Sequence, residues 1–136
     1  MWTILIAEDE PSFRNVMAAF LRDKGYQVLT ARNGQEALDL LRRERVDLAV
    51  LDLMMPTLGG GDVIAAVRAD PRLADLPLIV LTATRLTHVE AALQPLVQAW
   101  LLKTTVSLGQ VLETVRRHLP PAASLGGVLT PEPPRK

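Results

Sequence analysis

The chain contains no cysteine, which removes disulfides and thiolate metal sites and leaves nothing that requires an oxidising compartment. It has no net charge, fifteen Lys and Arg balancing fifteen Asp and Glu, so no global field draws in nucleic acid or anionic lipid. No apolar run approaches the roughly 20 residues of a membrane span. The opening Met1-Trp2-Thr3-Ile4-Leu5-Ile6-Ala7-Glu8 lacks a basic leader and turns acidic at once, so a cytoplasmic location is expected. The run Gly59-Gly60-Gly61 is not followed by the Lys-Ser/Thr of a phosphate-binding loop and is read as a flexible turn. No internal repeat, helix-turn-helix, catalytic output domain or dimerisation heptad is legible. What remains is 136 residues, 49 % of them hydrophobic, enough for one domain with a single core.

Leu48-Ala49-Val50-Leu51-Asp52-Leu53-Met54-Met55-Pro56 organises the rest. Its apolar residues read as a strand buried on both faces, and the run delivers one carboxylate, Asp52, where the strand meets Pro56 and the glycines. Before it, Thr3 to Ala7 is a short apolar strand emptying into Glu8-Asp9-Glu10. Pro11 suits a first helical turn, and Phe13, Val16, Met17, Phe20 and Leu21 recur at helical spacing until Gly25. Tyr26 to Ala31 is a second strand, and Asn33-Gly34-Gln35-Glu36 resembles a variant capping box ahead of Ala37, Leu38 and Leu41. Val63, Ile64 and Val67 mark a third helix that breaks at Asp70-Pro71. Leu76 to Leu81 is a fourth strand ending at Thr82-Ala83-Thr84.

Val89, Leu93, Leu96 and Val97 suggest a fourth helix, bent or ended by Pro95. Trp100-Leu101-Leu102 is a fifth strand closed by Lys103, and Ser107-Leu108-Gly109-Gln110 is a capping box for a fifth helix with Val111, Leu112, Val115 and Leu119 inward. Strands alternating with helices predict an α/β fold: a doubly wound, parallel five-stranded sheet covered on both faces. The domain is expected over residues 1–119. The tail, 120–136, holds Pro120, Pro121, Pro131, Pro133 and Pro134 and is expected to be disordered or a linker.

If the strands are parallel, Glu8 and Asp9, Asp52, Thr82 and Lys103 all arrive at one edge of the sheet, where open α/β sheets place their ligands. Three carboxylates in one crevice repel one another, and the usual remedy is a bound cation. Oxygen ligands favour Mg²⁺, which keeps several waters and leaves Asp52 free to act as a nucleophile. The Thr82 hydroxyl and the Lys103 ammonium suit an incoming phosphoryl group. Taken singly, each residue has a plainer reading: Asp52 as a loop acid, the Glu8–Glu10 run as compensation for a helix dipole, Lys103 as a solvated charge, Trp100 as core. Their convergence on one edge outweighs those readings.

In these residues the chain resembles the receiver domain of two-component response regulators, a CheY-like, flavodoxin-like fold, from about Thr3 to Leu119. Glu8 and Asp9 are similar to the family's acidic metal-binding pair, and Asp52, followed by Met55-Pro56 and Gly60, to its phospho-accepting aspartate. Thr82 is similar to its switch hydroxyl, Ala83 to the small neighbour whose amide holds phosphate, Lys103 to its lysine and Trp100 to its switch aromatic. The resemblance implies a Mg²⁺ cofactor, with the Met54 carbonyl as a further ligand. It also implies a sensor histidine kinase or phosphotransfer protein as phosphoryl donor, and an output protein engaged through the face of helix four, strand five and helix five. That face could also form a homodimer, while direct nucleic-acid or membrane contact is not expected. Such a domain is a signalling element that assists its own phosphorylation and dephosphorylation, and not an enzyme acting on a separate substrate.

The chain departs from the family pattern after Lys103, where Thr104 stands in place of a proline. A cis bond before a non-proline residue costs about 2.5–4 kcal/mol, so a trans bond is expected, with Lys103 less firmly aimed. Met54 and Thr84 occupy positions that tune access of attacking water and carry no acid or amide, which implies a persistent phosphoryl group. One alternative is a receiver-like interaction module that works without phosphorylation. Another is a Mg²⁺-dependent phosphohydrolase with Asp52 as nucleophile, disfavoured because Met54 stands where such enzymes commonly place a second acid.

Overall fold

A computed structural model describes residues 1–83 and 88–119, with only the backbone described at 88–90. Five parallel strands form one sheet in the order β2-β1-β3-β4-β5, comprising β1 (Thr3–Ala7), β2 (Gln27–Ala31), β3 (Leu48–Asp52), β4 (Leu78–Thr82) and β5 (Ala99–Leu102). Between and after them run α1 (Pro11–Asp23), α2 (Gly34–Arg43), α3 (Gly60–Ala69), α4 (His88–Leu93) and α5 (Leu108–His118). The predicted doubly wound α/β architecture is the one observed. Chain order reverses between β1 and β3, so the crevice at the carboxyl ends of those two strands is the topological switch point.

Alternation along the strands builds two cores, one on each face of the sheet. Leu5, Ala7, Ala49, Leu51, Leu78 and Val80 pack with Ala37, Leu38 and Leu41 of α2 and Val63, Ile64 and Val67 of α3. Ile4, Ile6, Leu48, Val50, Ile79 and Leu81 pack with Met17, Ala18 and Leu21 of α1 and Val111, Leu112 and Val115 of α5. Every residue of β3 and β4 is buried, which is why those strands read as unbroken apolar runs.

The helix starts follow their local chemistry. Pro11 opens α1, where its missing N–H costs nothing. The Asn33 side chain accepts from the Glu36 amide at 2.8 Å, while the Glu36 carboxylate accepts from the Arg32 amide at 2.8 Å, one residue before the cap. At α5 the capping box is reciprocal: the Gln110 amide donates to Ser107 Oγ at 3.1 Å, and the Ser107 amide donates to Gln110 Oε1 at 2.8 Å.

Several expectations need correction. Tyr26 precedes β2, β4 begins two residues after Leu76, and β5 starts at Ala99. Val16 shares the helical spacing of its apolar neighbours yet is 53 % exposed, because the buried stripe of α1 runs through Met17, Ala18 and Leu21. Gly59-Gly60-Gly61 is not a flexible turn: Gly59 caps α3, and Gly60 and Gly61 are its first residues. Gly60 is there for space, since a Cβ would lie 2.7 Å from the Asp52 carbonyl oxygen. Pro95 falls just past the end of α4, inside a 3-10 turn over Gln94–Leu96. The expectations for Thr84, for the Val89 side chain and for the tail 120–136 lie outside the described residues.

Candidate functional site

At the carboxyl edge of the sheet, β1 runs on past its last paired residue: the Glu8 amide donates to the Ala31 carbonyl at 3.0 Å, so Glu8 keeps the strand's alternation. That alternation turns Glu8 to the α1 side, where its side chain has no exposed surface. Asp52 ends β3 in the same phase, its side chain 4 % exposed, while Asp9 faces solvent at the lip. Oxygen atoms of Glu8, Asp9 and Asp52 all lie within 4.8 Å of one another. The predicted acidic triad is assembled.

Lys103 follows β5 directly and lies across the end of the sheet. Its Nζ donates to Glu8 Oε2 at 2.9 Å and to Asp52 Oδ2 at 3.1 Å, and Glu10 Oε1 stands 3.7 Å away. Among the described residues no peptide bond is cis, so Lys103 reaches both carboxylates with a trans bond to Thr104. The other oxygen of Asp52, Oδ1, accepts from the Met54 amide at 3.1 Å, which fixes the carboxylate and draws the following loop toward it. Met54's own side chain is 70 % exposed. Backbone contacts tie down the rim: Arg14 donates to the Glu8 carbonyl at 3.0 Å, and the Glu10 amide donates to Glu8 Oε2 at 3.0 Å.

The electrostatics are those of a site short of positive charge. Burial pushes the Glu8 carboxyl up to about 7, against the opposing pull of the Lys103 ammonium and the Glu10 amide, and the neighbouring Asp52 adds to the rise. Burial works against the Lys103 charge too, but hydrogen bonds to Glu8 and Asp52 outweigh it and lift Lys103 above the ordinary lysine range. One buried side-chain oxygen, Glu8 Oε1, has no hydrogen-bond partner. An orphaned carboxylate oxygen beside two further acids is the donor set that a hard divalent cation completes.

Thr82 ends β4 at 5 % exposure, and its carbonyl accepts from the Lys103 amide at 2.7 Å, locking the two strand ends together. Ala83 follows as an exposed turn residue at the same edge. By strand alternation Thr82 faces the α3 side of the sheet, as does Trp100, two pairs back on β5, where Val80 is its partner. Trp100 is half-buried against the α2–α3 core, and its Nε1 is buried without a partner. Among the described residues, Glu8, Asp9, Asp52, Met54, Thr82, Ala83 and Lys103 therefore reach this edge, and Trp100 its flank. Sequence reasoning missed Phe13, whose ring centroid lies 5.3 Å from Lys103 Nζ; its apolar spacing on α1 disguised it as core.

The family model of the response regulator receiver domain matches residues 4–116. A probable transcriptional regulator, ycf27, from Porphyra purpurea is 45 % identical over 80 residues, 59 % of this chain and 32 % of that protein. The matched stretch thus spans about a third of the length of such relatives. Among solved structures, the chemotaxis protein CheY4 of Vibrio cholerae superposes with a TM-score of 0.80 at 29 % identity, covering 88 % of this chain and 99 % of that one. The response regulator TrrA from Thermotoga maritima, in complex with Mg²⁺-BeF, superposes with a TM-score of 0.77 at 31 % identity, covering 88 % of this chain and all of that one, 100 %.

Proposed function

The chain belongs to the response regulator receiver domain family, and on that premise we propose that Asp52 accepts a phosphoryl group in a Mg²⁺-dependent transfer and thereby switches a protein-binding face. The observation that carries this reading is the convergence of Glu8, Asp9, Asp52 and Lys103 at the switch point, with one Glu8 oxygen left without a partner. Glu8, Asp9, Asp52 and the Met54 carbonyl would hold the ion. When bound, Mg²⁺ supplies neutralisation of the phosphoryl oxygens during transfer.

The chain's own residues do the rest. An oxygen of Asp52 attacks phosphorus; the bond from phosphorus to the donor's histidine nitrogen breaks, and that nitrogen keeps the electron pair, so a donor ring protonated on its other nitrogen leaves as neutral imidazole. A sensor histidine kinase or a phosphotransfer protein is the donor of this chemistry. Lys103, already paired with Asp52, moves with the transferred oxygens and stabilises their charge together with the Ala83 amide. The Met54 amide holds Asp52 in the attacking orientation. Once formed, the phosphoryl group draws the Thr82 hydroxyl toward it, which frees space on the α3–α4 side for Trp100 and repositions β5 with α4 and α5. The receiver unit is assigned to residues 1–119. Output passes through protein contact on the α4–β5–α5 face. No helix among the described residues is long and apolar enough to cross a membrane.

The test is incubation with acetyl phosphate and Mg²⁺, followed by intact mass. Gain of one phosphoryl group, lost in Asp52→Asn and in the absence of Mg²⁺, supports the reading. A chain that stays unmodified while remaining folded would point to the phosphorylation-independent module. Quenching of Trp100 fluorescence by Mg²⁺, absent in Asp9→Ala, reads the metal step separately.

A further inference from the structure

Lys103 leaves the sheet at β5, whereas its carboxylate partners sit on β1 and β3. In the order β2-β1-β3-β4-β5, adjacent strands are about 4.8 Å apart, so the ammonium reaches back over β4 to its partners. Glu8 Oε2 at 2.9 Å and Asp52 Oδ2 at 3.1 Å hold the ammonium itself, but the four-carbon stem rotates freely at every bond, and once either carboxylate is engaged elsewhere nothing in the stem keeps this course. Nor does the turn help: Lys103, Thr104 and Thr105 contain no proline, and backbone bonds from the Thr105 and Val106 amides to the Leu102 carbonyl, at 3.1 and 2.9 Å, fix the main chain only.

What lies alongside the lysine is α1. The Phe13 ring, half-buried and packed into the α1–α5 core, presents its face to Lys103 Nζ with the centroid 5.3 Å away. That is inside the range at which the negative face of an aromatic ring attracts a cation. The Lys103 side chain is only 19 % exposed, so the attraction acts where little water competes. Glu10, the N-cap of α1, adds a carboxylate 3.7 Å from Nζ, and Arg14 in the first turn donates to the Glu8 carbonyl and steadies the lysine's partner. We propose that Phe13 is a positioning residue: its ring face holds the Lys103 ammonium at the mouth of the site, between the carboxylates and solvent, through a cation–π contact. The role of that lysine in phosphoryl transfer rests on the function proposed above; the contact itself does not.

This arrangement has a consequence for the reaction. A divalent cation held by Glu8 would take one of the two close partners of Lys103, and the ring face would remain as the neutral seat from which the ammonium meets an incoming phosphoryl oxygen. A leucine at position 13 fills the same core space but offers no π face, whereas a tyrosine keeps the face. A contact of this kind amounts to about a two- to fivefold effect at a partly exposed site.

The experiment uses the full chain with Phe13→Leu and Phe13→Tyr. In the metal-free protein, the Lys103 ε-methylene protons are read by NMR. An upfield ring-current displacement is expected in the wild type and in Phe13→Tyr, and its loss in Phe13→Leu. With acetyl phosphate and Mg²⁺, phosphorylation of Asp52 in Phe13→Leu is expected to slow about threefold while Phe13→Tyr stays near wild type, the span of one cation–π contact. Wild-type Lys103 protons at their unfolded positions would overturn the proposal with no variant needed. Equal slowing by leucine and tyrosine would do so as well, leaving Phe13 as packing alone. If the wild type shows the ring-current displacement but takes up no phosphoryl group, the proposed function fails and the contact stands.

Discussion

Glu8 is the residue whose perturbation most directly tests the electrostatics of the site. Its side chain is fully buried, and it shares Lys103 with Asp52. Its carboxyl is pushed from an ordinary 4.5 to about 7, chiefly by burial. The folded state therefore binds a proton that the unfolded chain has released, and Glu8's contribution to stability is whole below pH 4.5 and lost as pH rises through 7. Between pH 5 and pH 8 the metal-free protein should lose about 2–3 kcal/mol from this group alone, because each tenfold difference in proton affinity between the folded and unfolded chains is worth about 1.4 kcal/mol. Glu8→Gln keeps the shape and an oxygen acceptor for Lys103 but has nothing to titrate, so its stability should lack this component.

The assay is urea unfolding in EDTA at pH 5, 6, 7 and 8. With slopes of about 1–3 kcal/mol per molar urea, the wild-type midpoint should fall by about 0.7–3 M more than that of Glu8→Gln across the range. The charged groups facing Glu8 are Lys103, Asp52, Asp9 and Glu10, all present in both proteins. Adding Mg²⁺ at pH 8 should then restore the wild type and leave Glu8→Gln nearly unmoved, because ligand binding stabilises only the state that binds it. Parallel pH profiles for the two proteins would refute the reasoning: burial would then not be setting the affinity of Glu8 for its proton.

Three further outcomes follow from the geometry. Lys103→Met keeps the apolar stem and removes the ammonium that competes for Glu8 and Asp52, so it should bind Mg²⁺ more tightly than the wild type by calorimetry yet accept phosphate far more slowly. Weaker Mg²⁺ binding would contradict the picture. Gly34→Ala places a Cβ 2.1 Å from the Leu58 carbonyl oxygen that accepts the Gly34 amide at 3.0 Å; the β3–α3 loop must move, costing about 2 kcal/mol or more in urea unfolding. Thr57 sits at φ 69° in a tight turn closed by the Leu58 amide on the Pro56 carbonyl at 2.7 Å, a conformation costly for a β-branched residue, so Thr57→Gly should stabilise the fold by about 1 kcal/mol.

The sequence was most legible where both faces of a strand are buried. β3 and β4 have no exposed residue, so apolarity alone marked them. β5 was harder because all four of its residues are only half-buried, as expected at a sheet edge, and its first residue, Ala99, carried no signal. α4 is six residues long and ends ahead of Pro95, too short for a period to declare itself. The glycines were misread for a different reason. Gly60 is required by the carbonyl of Asp52 and the backbone of Leu53 packed against it, and no local pattern reports a neighbour in space. Phe13 and Lys103 are similarly remote in the chain, and only the fold puts one over the other.

The site residues were legible because parallel strands deliver their ends to one edge, but the division of labour among the acids needed the strand phase. Counting by twos from Ile4 and Ile6 leads to Glu8, and from Leu48 and Val50 to Asp52, both on the α1 side; Asp9 falls out of phase and faces water. The same count from Leu78 and Val80 leads to Thr82, on the opposite side with Trp100. Alternation thus separates the face that holds charge from the face that carries the aromatic. When ionised, three carboxylates and one ammonium leave two negative charges, which one divalent cation cancels. Phosphorylation replaces the single charge of Asp52 with roughly two, and the surplus falls on oxygens at the sheet edge rather than in the buried notch. On the proposed function the donors for that surplus would be the Lys103 ammonium, which already pairs with Asp52, the Ala83 amide and the Thr82 hydroxyl, and of these Thr82 shares its strand phase with the Trp100 side. On that proposal no hinge would be needed, since strand phase alone sets Glu8 and Asp52 on one face and Thr82 and Trp100 on the other.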